Sequence, residues 1–187
     1  MAFSYHTEQW LPYSAEEIFG FLANPQNLPS LMPAWQKARV ENSSIVPPPR
    51  RPGDSAPPNP AAGIGTRLTF SFRPFRFSPV RVQWEAEVTE FSWNTQFCDR
   101  QVRGPFAYWH HCHRVRAVIR EEVAVAVLTD HVEYALPMGA LGTLAHRLFL
   151  RRRIDQAFAY RYSQLASILG ARQTGNSSVA TRLDRSA

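Results

Sequence analysis

The sequence predicts a single α+β domain in which a curved antiparallel sheet of about seven strands wraps around a long C-terminal helix, with two short helices after the first strand. Three observations lead there. Several segments alternate apolar and polar side chains with a period of two, the last third carries apolar residues at helical spacing, and a helix-capping signature followed by proline-punctuated turns separates the first strand from the others. At 187 residues the chain has the length of one domain, and a body of about 150 residues buries roughly 68–70% of its unfolded surface, enough for one core.

The elements follow in order. Residues 3 to 11 read as the first strand. Ser14-Ala15-Glu16-Glu17 is a capping box, and a helix follows through Ile18, Phe19, Phe21 and Leu22 until Asn24-Pro25 stops it. Leu28-Pro29-Ser30-Leu31-Met32-Pro33 suggests a second short helical segment. A strand is expected over 35 to 43. Further strands are expected at 64 to 73, 79 to 91, 94 to 103, 107 to 119 and 123 to 136. The first of these sets Leu68, Phe70 and Phe72 against Thr69, Ser71 and Arg73, and the second sets Val80, Val82, Trp84, Ala86 and Val88 against Arg81, Gln83, Glu85 and Glu87. Residues 141 to 169 carry Leu141, Leu144, Leu148, Phe158, Tyr162, Leu165 and Leu169, which predicts a helix of about 42 Å with these residues on its inner side.

Two stretches stand outside this pattern. Residues 46 to 63 hold seven prolines and almost no large apolar side chains, so they read as a long inserted loop within a domain spanning 1–170. Residues 171 to 187 are polar and aperiodic and read as a disordered tail.

Composition narrows the function classes. No stretch approaches the ~18 consecutive apolar residues of a spanning helix, and the first residues lack the basic and apolar regions of a secretory signal, so the expected compartment is cytoplasmic. In that compartment Cys98 and Cys112, which lack metal-type spacing, are expected as free thiols. The net charge is +6, with Lys37 the only lysine. Scattering of the arginines argues against nucleic-acid binding. The one tight run, Arg151-Arg152-Arg153, reads as a solvated helix face, with an anionic membrane or an acidic ligand group as the functional alternative. No nucleophile elbow, phosphate-binding glycine loop or HExxH zinc motif occurs, and neither a cofactor nor a metal is implied.

The order of strand, two short helices, six further strands and one long helix resembles the SRPBCC, or START-like, superfamily. The segments Glu8-Gln9-Trp10-Leu11-Pro12, Ala15-Glu16-Glu17-Ile18-Phe19 and Gln101-Val102-Arg103-Gly104-Pro105-Phe106 are similar to those of a bacterial cyclase/dehydrase-like, ligand-binding branch. So are Trp109-His110-His111-Cys112-His113 and Thr129-Asp130-His131-Val132-Glu133-Tyr134-Ala135-Leu136-Pro137. The resemblance covers about residues 3 to 170. It implies a helix-grip fold and a hydrophobic cavity of the kind that serves lipid-transfer proteins, polyketide cyclases and coenzyme Q binders.

Side-chain parity picks out candidate residues independently. In strand 107 to 119 the arginines Arg114 and Arg116 face water, which turns Trp109, His111, His113 and Val115 inward. In strand 123 to 136, Leu128, Asp130, Val132, Tyr134 and Leu136 face inward by the same rule. A hairpin centred on Glu121-Glu122 sets His113 opposite Asp130 and Trp109 opposite Tyr134, about 4.5–5.5 Å apart. A turn around Pro105 sets Asp99 opposite His111, Gln101 opposite Trp109, and Cys98 opposite Cys112 on the outer face.

Buried polar groups must bond one another, water or a ligand, because an unpaired one costs roughly 1–3 kcal/mol. The inner cluster is therefore either a self-satisfied network or the polar end of a pocket whose apolar body is Phe70, Phe72, Trp84, Trp109 and Leu148. The expected ligand is a small hydrophobic molecule contacted by these residues together with Asp99, Gln101, His111, His113, Asp130, Tyr134 and Arg152, in a monomer or weak homodimer. His111, His113 and Asp130 are the candidates for acid or base work, since a carboxylate beside an imidazole fixes its tautomer and raises its pKa.

Overall fold

Seven antiparallel strands form one sheet in the order β1-β7-β6-β5-β4-β3-β2. They are β1 (Ala2–Leu11), β2 (Arg39–Ser44), β3 (Arg67–Phe72), β4 (Val82–Ser92), β5 (Gln96–Arg103), β6 (Tyr108–Arg120) and β7 (Val123–Ala135). The computed structural model describes residues 2–50, 61–120 and 123–183. Between β1 and β2 lie helix α1 (Ala15–Leu22) and two 3-10 turns, Pro25–Leu31 and Ala34–Gln36. After β7 come α2 (Gly139–Ala145), a π-helical turn (His146–Leu150) and the long α3 (Arg151–Leu183).

The capping box forms as predicted: Ser14 Oγ accepts from the Glu17 amide, and the Glu17 carboxylate accepts from the Ser14 amide at 2.9 Å. This turns Ile18, Phe19, Phe21 and Leu22 onto the sheet, where they join Leu11, Phe97, Val115, Leu128, Leu165 and Leu169 in the main core. Full burial of such a side chain stabilises the fold by roughly 1.5–3 kcal/mol. A second cluster, Val132, Tyr134, Ile154 and Phe158, joins β7 to α3.

His113 pairs with Asp130, Trp109 with Tyr134, Asp99 with His111 and Cys98 with Cys112, all as predicted. The β5–β6 ladder ends at Arg100 and His110, one step short of the expected Gln101–Trp109 pair. The predicted turn residues Glu121 and Glu122 lie outside the described residues, as does the 51–60 part of the proline-rich insertion. The flanks of that insertion are fastened down. The Ala62 amide donates to the Ala23 carbonyl at 2.9 Å, the Gly63 amide to the Val46 carbonyl at 2.8 Å, and the Trp93 indole to the Pro49 carbonyl at 2.6 Å.

Four expectations need correction. Strand β2 starts at Arg39 rather than 35, because Ala34–Gln36 closes a 3-10 turn and Lys37 then takes a left-handed backbone (φ 47°). Val80 precedes β4 and is exposed. Cys98 and Cys112 are not free thiols but a disulfide, because directly opposed positions on one sheet face bring their Cα atoms to 4.1 Å.

The fourth correction concerns the C-terminal helix. Leu141, Leu144 and Leu148 face outward and are more than half exposed, while Ile154, Phe158, Leu165 and Leu169 carry the inner stripe. Ten residues separate Leu148 from Phe158, which on a 3.6-residue helix is a rotation of about 80° off the stripe. The wider π turn between them adds to that offset. The backbone of α3 is helical to Leu183, past the expected helix end at residue 169.

Candidate functional site

The sheet curves away from α3 along β3–β6, and the space between them is a cavity of about 310 Å³. The 3-10 turns cover it with Leu28, Leu31 and Met32, and α3 closes it with Ala157, Phe158 and Arg161. Alternation along β3 and β4 supplies the apolar wall, since every second residue points inward: Leu68, Phe70 and Phe72 on one strand, Trp84, Ala86 and Val88 on the next. Phe70 stacks on Trp84 with centroids 5.8 Å apart, and the Trp84 ring meets Trp109 edge-on at 5.1 Å.

One end of the cavity is polar. Asp99, His111 and His113 come from β5 and β6, and Arg161 comes from α3. Behind them, with no exposed surface, lies Asp130. Its Oδ1 is 2.8 Å from His111 Nε2, and its Oδ2 accepts from the Tyr162 hydroxyl at 2.8 Å. His113 Nδ1 approaches the same Oδ1 at 2.6 Å but off the direction of a hydrogen bond, so that contact is electrostatic. Arg161 donates to His113 Nε2 at 3.3 Å. This assigns the Nε2 lone pair to the arginine and the ring proton to Nδ1.

Electrostatics match this arrangement. Burial, together with His111, pushes the His113 imidazole down to about 3, so it is neutral at pH 7. Burial opposes ionisation of Asp130, but His113 and the His111 hydrogen bond outweigh it and hold the carboxyl well below its ordinary range. Burial raises Asp99, with His111 and Arg161 pulling the other way. The Tyr162 hydroxyl is raised by burial and by the Asp130 charge, which keeps it a donor. Asp99, His111 and His113 each bring one donor atom within 4.8 Å of the others. The Arg161 guanidinium already occupies the outward nitrogen of His113, so the cluster suits an oxygen-bearing ligand better than a cation.

Of the sequence-derived residues, the cavity gathers Phe70, Phe72, Trp84, Asp99, Trp109, His111 and His113. Asp130 supports them from behind without lining the space. Gln101 is instead used locally: its side chain donates to the Phe106 carbonyl at 2.7 Å and closes the β5–β6 turn. Tyr134 lies in the neighbouring core, where its hydroxyl and His146 Nε2 are 2.8 Å apart and Phe3 stacks on the His146 ring. Leu148 and Arg152 are exposed and away from the cavity, for the helical-phase reason given above. Arg152 lies about 120° round the helix from Phe158, and Arg161 only about 60°. Arg161 and the Tyr162 hydroxyl are the polar groups that sequence reasoning missed. Their places at i+3 and i+4 from Phe158 put them beside the apolar stripe, which admits an inward course without fixing it.

No family model matches the chain, and no curated protein matches it. Solved structures do. Norcoclaurine synthase from Thalictrum flavum, as a point mutant in complex with a transition-state analogue, superposes with a TM-score of 0.58 at 15% identity, over 92% of this chain and 97% of that one. The same enzyme in complex with dopamine and hydroxybenzaldehyde gives 0.56 at 16% identity, over 90% and 87%. Ara h 8.0201 gives 0.58 at 10% identity, over 91% and 99%. At these identities the likeness is one of fold, and with the seven-stranded sheet and long C-terminal helix it shows that the chain has the Bet v 1-like helix-grip fold of the START/SRPBCC type.

Proposed function

We propose that the chain binds one small, largely hydrophobic molecule of lipid, quinone or polyketide-like character between the sheet and the C-terminal helix. The observation that carries this reading is the cavity itself: an aromatic and aliphatic wall that ends in Asp99, His111, His113 and Arg161. At about 310 Å³ it lies at the lower end of the roughly 300–1,000 Å³ of small-molecule pockets. That size suits a ring system or a single short chain rather than a whole phospholipid. Apolar contact supplies the affinity, and Arg161, with His113 at its back, orients a carbonyl or carboxylate oxygen. Native mass spectrometry of freshly purified protein, followed by organic extraction, tests the reading. A recurrent apolar adduct that disappears in Trp109→Ala and Arg161→Leu supports it; protein that stays empty and takes up nothing from a lipid and aromatic-polyketide library counts against it.

A second reading, a cyclase or dehydratase, is favoured by one observation: His111 lines the cavity while Asp130 holds its Nε2. Donation from Nε2 to the carboxylate leaves Nδ1 free to accept a proton from a carbon beside a substrate carbonyl. The carbonyl oxygen would lie against Arg161. Among the solved neighbours, two of the three structures described above are of one synthase. Loss of turnover with retained binding in His111→Gln separates catalysis from carriage.

A further inference from the structure

One rim of the sheet is where β3, β5 and β7 end and where β1, β4 and β6 begin. Register fixes this: Phe72 pairs with Val82, Glu85 with Arg103, Tyr108 with Ala135, and Ala2 with Ala135. Two segments leave that rim with apolar side chains in the open. The β3–β4 connection, residues 73–81, exposes Phe75, Phe77 and Val80, with Phe77 91% accessible. Beyond β7, the α2 and π-turn segment exposes Met138, Leu141, Leu144, Leu148 and Phe149, each more than half accessible. Left in water, these side chains forgo the roughly 1.5–3 kcal/mol each that burial would return. Other exposed apolar side chains, such as Ile119 and Ile64, stand elsewhere on the molecule, but a group of eight gathered at one end marks a contact site.

Charge on the same rim is predominantly positive, with Glu85 opposite Arg103 and Asp155 beside Arg151 as the nearby carboxylates. Arg76, Arg103, Arg147, Arg151, Arg152 and Arg153 are exposed there. No Asp or Glu occurs in residues 72–83, 100–120 or 134–154. Among the described residues, none of these six arginines has a carboxylate within ion-pair distance. A nucleic acid would satisfy the arginines and leave the phenylalanines and leucines wet. An apolar protein surface would cover the rings and strand the arginines. A bilayer with anionic headgroups offers both layers at the right depths: acyl boundary for the rings and negative headgroups for the guanidinium groups, which reach that level on flexible stems.

We propose that this rim docks the protein peripherally on an anionic membrane surface, with the β3–β4 connection and the α2–π segment as the two points of insertion. Docking of this kind is independent of what fills the cavity.

Vesicle flotation with the full chain tests it, using phosphatidylcholine vesicles with and without phosphatidylserine. The wild type is expected to float with the phosphatidylserine vesicles and to lose most of this at high salt. Replacing Arg151, Arg152 and Arg153 by Gln should weaken partitioning about a hundredfold, from about fivefold per arginine. Phe75→Ser with Phe77→Ser, and Leu148→Ser with Phe149→Ser, should each abolish flotation while circular dichroism and probe binding in the cavity stay at wild-type values. Equal flotation of wild type and variants overturns the proposal. So does equal binding to uncharged vesicles, and so does a wild type that stays off both membranes. A concentration-dependent dimer that the Ser variants dissolve, without flotation, overturns it in favour of a second copy of the chain.

Discussion

His113 is a neutral histidine held between a carboxylate and a guanidinium, and that position has a consequence for pH. An unfolded chain protonates this imidazole near 6.5, whereas the folded one does so only near 3. Between those values the unfolded state binds the extra proton, so stability falls as pH is lowered through this window, by up to about 1.4 kcal/mol per pH unit. Asp130, held below its ordinary range, adds a loss below its unfolded value of 3.8. Asp99 works in the opposite sense, because its raised pKa favours the folded state at acid pH. Urea unfolding between pH 7 and pH 4 is expected to show a falling midpoint in the wild type. His113→Phe, whose ring packs beside Phe97, is expected to flatten the dependence, and an equal slope in both proteins would remove His113 as its source. At this scale the sequence was informative where a strand enforces strict alternation: His111 and His113 alternate with the outward Arg114 and Arg116, and Asp130 alternates with the polar face of Thr129, His131 and Glu133. Arg161 could not be found that way, because on a helix an arginine beside the apolar stripe is equally at home in water or against the sheet.

Among the elements, the capping box of α1 and the alternating strands follow from local chemistry, since each depends on residues within a few positions of one another. The disulfide divides into a legible and an illegible part. Hairpin register placed Cys98 opposite Cys112, but whether two facing thiols oxidise depends on the compartment, which residue spacing does not encode. With 14 residues of separation, the cross-link should stabilise the fold by about 3 kcal/mol in the chain-entropy account. Denaturant unfolding with and without a reductant measures this directly, with Cys98→Ser as a second comparison. Free-thiol titration of protein taken from its own cellular compartment distinguishes the oxidised form from the reduced one. The π turn was not legible at all: nothing in His146–Leu150 announces it, and it widens the offset that ordinary helical phase already gives Leu148 from the inner stripe.

For the molecule as a whole, strand order and the long helix were readable because a meander of hairpins leaves few topologies open. The cavity was readable only as a concave face. Its closure depends on how far the 3-10 turns and α3 stand off the sheet, a distance that no periodicity reports. The central claim is that this space holds a small apolar molecule, oriented by the polar end around Arg161. The most direct test is fluorescence titration with anilinonaphthalene sulfonate, whose aromatic body suits the Phe70–Trp84 wall and whose anion suits Arg161. Wild-type protein and an Ala86→Trp variant, which places a large ring in the cavity, are compared after circular dichroism confirms that both are folded. Saturable one-site binding by the wild type that the variant loses is the expected result; unchanged binding in the filled variant, or no saturable binding by the wild type, would contradict a ligand cavity.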